Sequence, residues 1–212
     1  MLLIGVGLIA VLAIGAIALL ARDDDAPMRT SQGETTPSDG NVAAPETPEF
    51  RFAKATRKLV RTSPGRIKRR QREASERAAI AATSILTDFY TEGFLDPANW
   101  QQGSYTDAFG DFASGARERA ETRAGLLTAG PRAGDRYERI LPVSGRLFTR
   151  ILLDRAGKPA LLWSAVRFSA AAIGPEPLTL RSTAQFFFER IGGRWRIVSF
   201  HVKRTDVPRE AA

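Results

Sequence analysis

The chain has 212 residues, no cysteine and one histidine, and its net charge is +8. Disulfides and cysteine-built metal sites are thereby excluded, and a single histidine leaves no histidine cluster to hold a metal, so neither a metal nor a cofactor is expected. The charge is unevenly spread: residues 23–49 hold seven acids and one base, residues 50–72 hold ten bases and no acid, and residues 73–212 are only mildly basic.

The run Leu2–Ala21 contains only Leu, Ile, Val, Ala and Gly. Twenty residues at about 1.5 Å each span roughly 30 Å, the hydrocarbon thickness of a bilayer. A transmembrane anchor over residues 1–22 is expected, which makes the chain a single-pass protein of the cell membrane, in contact with lipid through residues 2–21. The run is long for the apolar part of a cleaved signal peptide, and its small-x-small pattern Ala16-Ile17-Ala18 lies inside it. Arg22 and Arg29 lean weakly toward a cytoplasmic C-terminal domain, while the acidic stalk suits either side.

Residues 23–49 combine Pro27, Pro37, Pro45 and Pro48 with Ser, Thr, Gly and Asp, the composition of a disordered linker. In the basic segment, residues 50–72, Phe52, Ala55, Leu59 and Val60 recur at helical spacing. That pattern predicts an amphipathic helix. Lys54, Arg57, Lys58, Arg61, Lys68, Arg69 and Arg70 are the candidate contacts to anionic lipid headgroups. A solvated helix face leading into the domain is the alternative. Nucleic acid is less favoured, because too few aromatics are interleaved for base stacking.

A domain over residues 73–207 follows, with a disordered tail over 208–212. Gln71 to Gly93 reads as a long helix with the apolar stripe Ala74, Ala78, Ala82, Ile85, Leu86 and Phe89. Asp96-Pro97 is an N-cap followed by proline at the first helical position, so a short helix should carry Trp100. Ser114 opens a third helix, Gly115 to Thr128, with Leu126 and Leu127 facing the core. From Tyr137 the period becomes two. Strands are expected over Arg139–Asp154, Leu161–Ser169, Leu178–Ile191 and Trp195–Arg204. The last pair flanks Gly192-Gly193, the strongest hairpin signal in the chain. Pairing Ile191 with Arg194 sets Glu189 opposite Arg196, Phe188 opposite Ile197 and Phe187 opposite Val198. The expected fold class is α+β: an N-terminal transmembrane helix, a linker, then three helices packed on a curved antiparallel sheet of about four strands.

That order, closing on Gly193-Arg194-Trp195-Arg196-Ile197-Val198, resembles the NTF2-like (cystatin-like cone) superfamily, whose last strand typically reads Gly-x-Trp-x-Ile. The resemblance covers roughly residues 71–207. With one N-terminal anchor the chain looks most like membrane-tethered members, the Mce-associated membrane proteins and the VirB8/TcpC-like components of conjugation machines. The resemblance implies a pocket between the first helix and the concave sheet. In enzymes of the superfamily, such as ketosteroid isomerase and the SnoaL-like cyclases, that pocket holds an acid and a base. It also implies dimers formed through the outer sheet face.

The candidate pocket is Phe89, Tyr90, Trp100, Trp163, Phe186, Ser199 and His201. The candidate dimer face is Phe187, Val198, Phe200 and Val202. His201, Asp88 and Tyr90 are the groups available for acid–base chemistry, and no residue-by-residue match to the enzymes' set is present. The expected function is a non-catalytic, membrane-tethered module that binds a protein partner or stabilises a membrane complex. A binder of a small apolar ligand, or a SnoaL-like or ketosteroid-isomerase-like enzyme, is the alternative.

Overall fold

The computed structural model describes residues 46–61 and 65–209. The expected anchor over residues 2–21, most of the linker and the last three residues of the tail lie outside the described residues. Among the described residues, no helix is long and apolar enough to cross a membrane.

The first described element is a strand, β1 (Lys54–Arg61), and not an amphipathic helix. It pairs in parallel with β2 (Arg139–Leu153), Lys54 opposite Arg146 through Arg61 opposite Leu153. β3 (Pro159–Ile173), β4 (Leu178–Ile191) and β5 (Arg194–Pro208) continue antiparallel, in the order β1-β2-β3-β4-β5. The expected four-stranded antiparallel sheet is therefore a five-stranded mixed one. A parallel neighbour needs a long crossover, and here the crossover is the entire helical layer.

The helix α1 (Arg69–Tyr90) begins where the Gln71 side chain accepts the Lys68 N–H. Its buried stripe is Ala78, Ala79, Ala82, Leu86, Phe89 and Tyr90. Three alanines on that stripe leave room for a close approach of helix to sheet. Gly93 does not stop the chain; α1 runs on into one π-helical turn, Thr91–Leu95, which buries Phe94 and Leu95. α2 (Pro97–Gln102) has the expected cap, Asp96 Oδ1 accepting the Ala98 N–H at 3.0 Å, and it buries Trp100. The expected third helix is broken at Arg123 into α3 (Ser114–Thr122) and α4 (Ala124–Leu127). The break turns Leu126 outward while Leu127 stays in the core. A further short helix, α5 (Ala133–Arg136), leads into β2. Among the described residues, five α-helical segments thus replace the three expected, and the arrangement remains α+β.

The β4–β5 hairpin turns at Gly192 (φ 58°) and Gly193 (φ 82°), a left-handed pair that only glycine adopts without strain. Its register is as expected from Ile191–Arg194 to Phe188–Ile197, and then a bulge intervenes, so that Phe187 faces Ser199. The extra residue reverses which side chains point inward. Trp195 and Ile197 face the helices before the bulge; after it Phe200 and Val202 pack against the core.

Candidate functional site

The side of the sheet that faces α1 is filled, not hollow. Phe89 packs edge-on to Tyr90 at 5.0 Å and to Phe186 at 5.5 Å. Tyr90 stacks on Phe94 at 5.6 Å and lies 4.7 Å from Phe168. Phe112 joins through Phe89 and reaches Phe200 at 5.8 Å. Among the described residues, the buried polar side chains other than tyrosines are all hydroxyls: Ser75, Thr128, Thr149, Ser164 and Ser182. Ser182 pairs with Tyr90 at 3.1 Å and Thr149 with Ser164 at 2.9 Å, while Ser75 and Thr128 donate to the Gln71 and Ala124 carbonyls. Burial raises the Tyr90 hydroxyl well above the ordinary phenol range, so it stays protonated. Among the described residues, no acid–base pair shares this interior.

The residues expected to line one pocket are accordingly scattered. Phe89, Tyr90, Trp100 and Phe186 are core. Trp163 is half-buried on the opposite face of the sheet, where its Nε1 donates to Gln185 at 3.4 Å. Ser199 and His201 are exposed on that same outer face, because the bulge moves His201 opposite Gln185 and not Ala184. The expected dimer face is divided for the same reason. Phe187 stays outside with Trp163 as its cross-strand neighbour, whereas Phe200 and Val202 turn in. The phase change was visible in the sequence, since apolar residues occupy odd positions at Trp195 and Ile197 and even positions at Phe200 and Val202.

An open cleft does exist, beside the filled interior. It lies between α1 and the β1 edge, with a volume of about 630 Å³. Phe52, Ala55, Ala79, Ile80 and Leu147 supply apolar surface; Thr83, Ser84, Thr87 and Thr149 supply hydroxyls; Arg51, Arg57 and Asp88 stand as charged posts. Ile80 is 63% exposed on α1, an apolar side chain without cover. Arg57 reaches Glu76 of α1 at 2.9 Å, a surface ion pair at one part of the cleft. Among the described residues, β1 has a ladder partner on one side only, which leaves its other row of N–H and C=O groups open to a further strand. The opposite edge is covered in part: Ala113 N–H donates to Ile197 C=O, Ile197 N–H donates to Asp111 C=O, and the Arg204 side chain ties β5 to the Gly125 and Thr128 carbonyls.

The remaining candidate headgroup residues divide. Lys54 and Lys58 point away from the helices, Arg61 donates to Gly65 C=O, Arg69 pairs with Glu73, and Lys68 and Arg70 are exposed at the start of α1. Asp88 borders both the cleft and a smaller acidic hollow with Glu92, Asp107 and Asp111, into which Arg196 reaches to hold Asp111 at 2.6 Å. Among the described residues, no group of acids and histidine has the arrangement of a metal site.

Comparison with known proteins finds no match: no family model, no curated protein and no solved structure.

Proposed function

We propose that the chain is a non-catalytic binding module, held at a membrane by its apolar N-terminal sequence, whose cleft between α1 and β1 takes an extended segment of a protein partner. The observation that carries this reading is one coincidence. The open edge of β1 and the exposed Ile80 border the same cleft, beside a ring-filled interior in which Tyr90 pairs with Ser182 and Thr149 with Ser164. An added strand would find backbone partners along β1 and an apolar wall on α1, the chemistry of strand addition to a sheet edge. Kinship with the NTF2-like proteins stays part of this proposal. The long helix laid across a twisted sheet and the closing Gly193-Arg194-Trp195-Arg196-Ile197 support it, although the parallel β1 is an addition to the expected order.

The chain has no native cysteine, so Ile80→Cys introduces a unique thiol in the cleft. Maleimide should label it readily in purified protein and several-fold more slowly in native membranes, while Glu118→Cys on α3 labels equally in both. Equal labelling of Ile80→Cys in the two preparations would refute occupancy of the cleft.

A further inference from the structure

The outer face of the sheet carries a pattern that the proposed function does not use. Because side chains alternate along each strand, the outward residues form rows across the ladder, with strands about 4.8 Å apart. One row reads Lys54, Arg146, Arg167, Thr183, Lys203 from β1 to β5. The next but one reads Lys58, Arg150, Trp163, Phe187, Ser199, and Arg181 stands beyond the first row. Lys54, Lys58, Arg146, Arg150, Arg167, Arg181 and Lys203 are all exposed. Among the described residues none of the seven has an ion-pair partner. Like charges directly opposite one another destabilise a sheet, yet Lys54, Arg146 and Arg167 are consecutive cross-strand neighbours, as are Lys58 and Arg150. Breaks of a local rule, here repeated on one face, are expected where a surface is functional.

We infer that this face rests on an anionic bilayer surface, its basic rows on lipid phosphates and its aromatic residues at headgroup depth. Two observations favour lipid over nucleic acid. Two of the rings are already engaged: the Arg150 guanidinium lies 4.9 Å from the Trp163 ring centre and 5.7 Å from that of Phe148. The face also begins on β1, the first described strand, and only 32 residues separate Lys54 from the apolar run ending at Ala21. Even fully extended, that stretch reaches no more than about 110 Å, so an apolar segment seated in a bilayer keeps the face within reach of headgroups. The inference shares only the membrane location with the proposed function; the cleft lies on the other side of the sheet and is read by a different label.

The test uses the full chain with Thr183→Cys, a unique thiol in the middle of the basic row, carrying a fluorophore. The protein is reconstituted in vesicles of phosphatidylcholine alone, or with about one-third phosphatidylglycerol. Acrylamide quenching should fall about threefold on the anionic vesicles only, and high salt should restore it, since an electrostatic contact of this kind is screened. The charge reversal Arg146→Glu with Arg167→Glu should abolish the contrast. Arg167→Glu alone, which gives Arg146 an opposite charge to face, should fold at least as well and still weaken it. Equal quenching on both vesicles would overturn the inference. So would protection of the label by a single-stranded oligonucleotide under conditions where anionic vesicles give none.

Discussion

Tyr90 sits at the centre of the ring cluster with its hydroxyl shared with Ser182. Tyr90→Phe removes that hydrogen bond and leaves Ser182 buried without its partner, at a cost of about 1–2 kcal/mol measurable by urea unfolding. Tyr105 donates to Gly130 C=O at 2.7 Å, and burial pushes its hydroxyl up to about 12. Tyr90 is raised in the same direction. The unfolded chain gives up these protons near pH 10, the ordinary phenol value, whereas the folded chain keeps them. Their contribution is therefore whole below pH 10 and is lost as pH climbs toward 12. The urea midpoint should fall steadily across that window, and a flat midpoint would contradict the burial of both phenols. Glu92 has the opposite meaning for stability at neutral pH. Burial raises its carboxyl above the usual range, and Asp88, Asp107, Asp96 and Asp111 add to the effect. Its ionised form thus opposes folding, and Glu92→Gln should raise the urea midpoint at pH 7. The gain should vanish as pH falls below the ordinary carboxylate range, where Glu92 is protonated in both states.

At the scale of elements, β1 is the segment that the sequence disguised. Lys54–Arg61 has apolar residues at spacings that suit a helix, and its true partner β2 lies some ninety residues on, beyond any local pattern. The one local clue is chemical, because basic side chains are what exposed edge strands carry to discourage indiscriminate pairing. The approach to β1 is anchored by Phe50, which is buried and meets Phe168 edge-on at 5.3 Å. Phe50→Ala should cost about 3 kcal/mol if this leader belongs to the folded unit; an unchanged urea midpoint would remove it. Gly145 makes room for that ring, since a Cβ there would meet Phe50 at 2.7 Å. Gly145→Ala should therefore destabilise by about 1–3 kcal/mol. By contrast α1, the Asp96-Pro97 cap of α2 and the Gly192-Gly193 hairpin were all legible, because each is specified by neighbours close in sequence. The hairpin bulge was half legible: cross-strand pairing gave the register up to Phe188–Ile197, and the shift in apolar phase after Ile197 marked the rest.

The molecule as a whole has two unlike sides. One side of the sheet is closed by helices over a ring-filled core, with a cleft left along β1; the other is a basic and aromatic surface that no described element covers. The candidate site was poorly legible because both the filled interior and the outward turn of His201 depend on packing and on the bulge, neither of which residue type alone specifies. Trp163 illustrates the point, since an aromatic at an alternating strand position suits either face until the register of β2, β3 and β4 is known. Occupancy of the cleft by a polypeptide is read by photo-crosslinking in living cells. Benzoylphenylalanine in place of Ser84, which lines the cleft from α1, should give one discrete polypeptide adduct that Ile80→Asp abolishes. Adducts to lipid alone, or the same adducts from benzoylphenylalanine at Glu118 on α3, would contradict it.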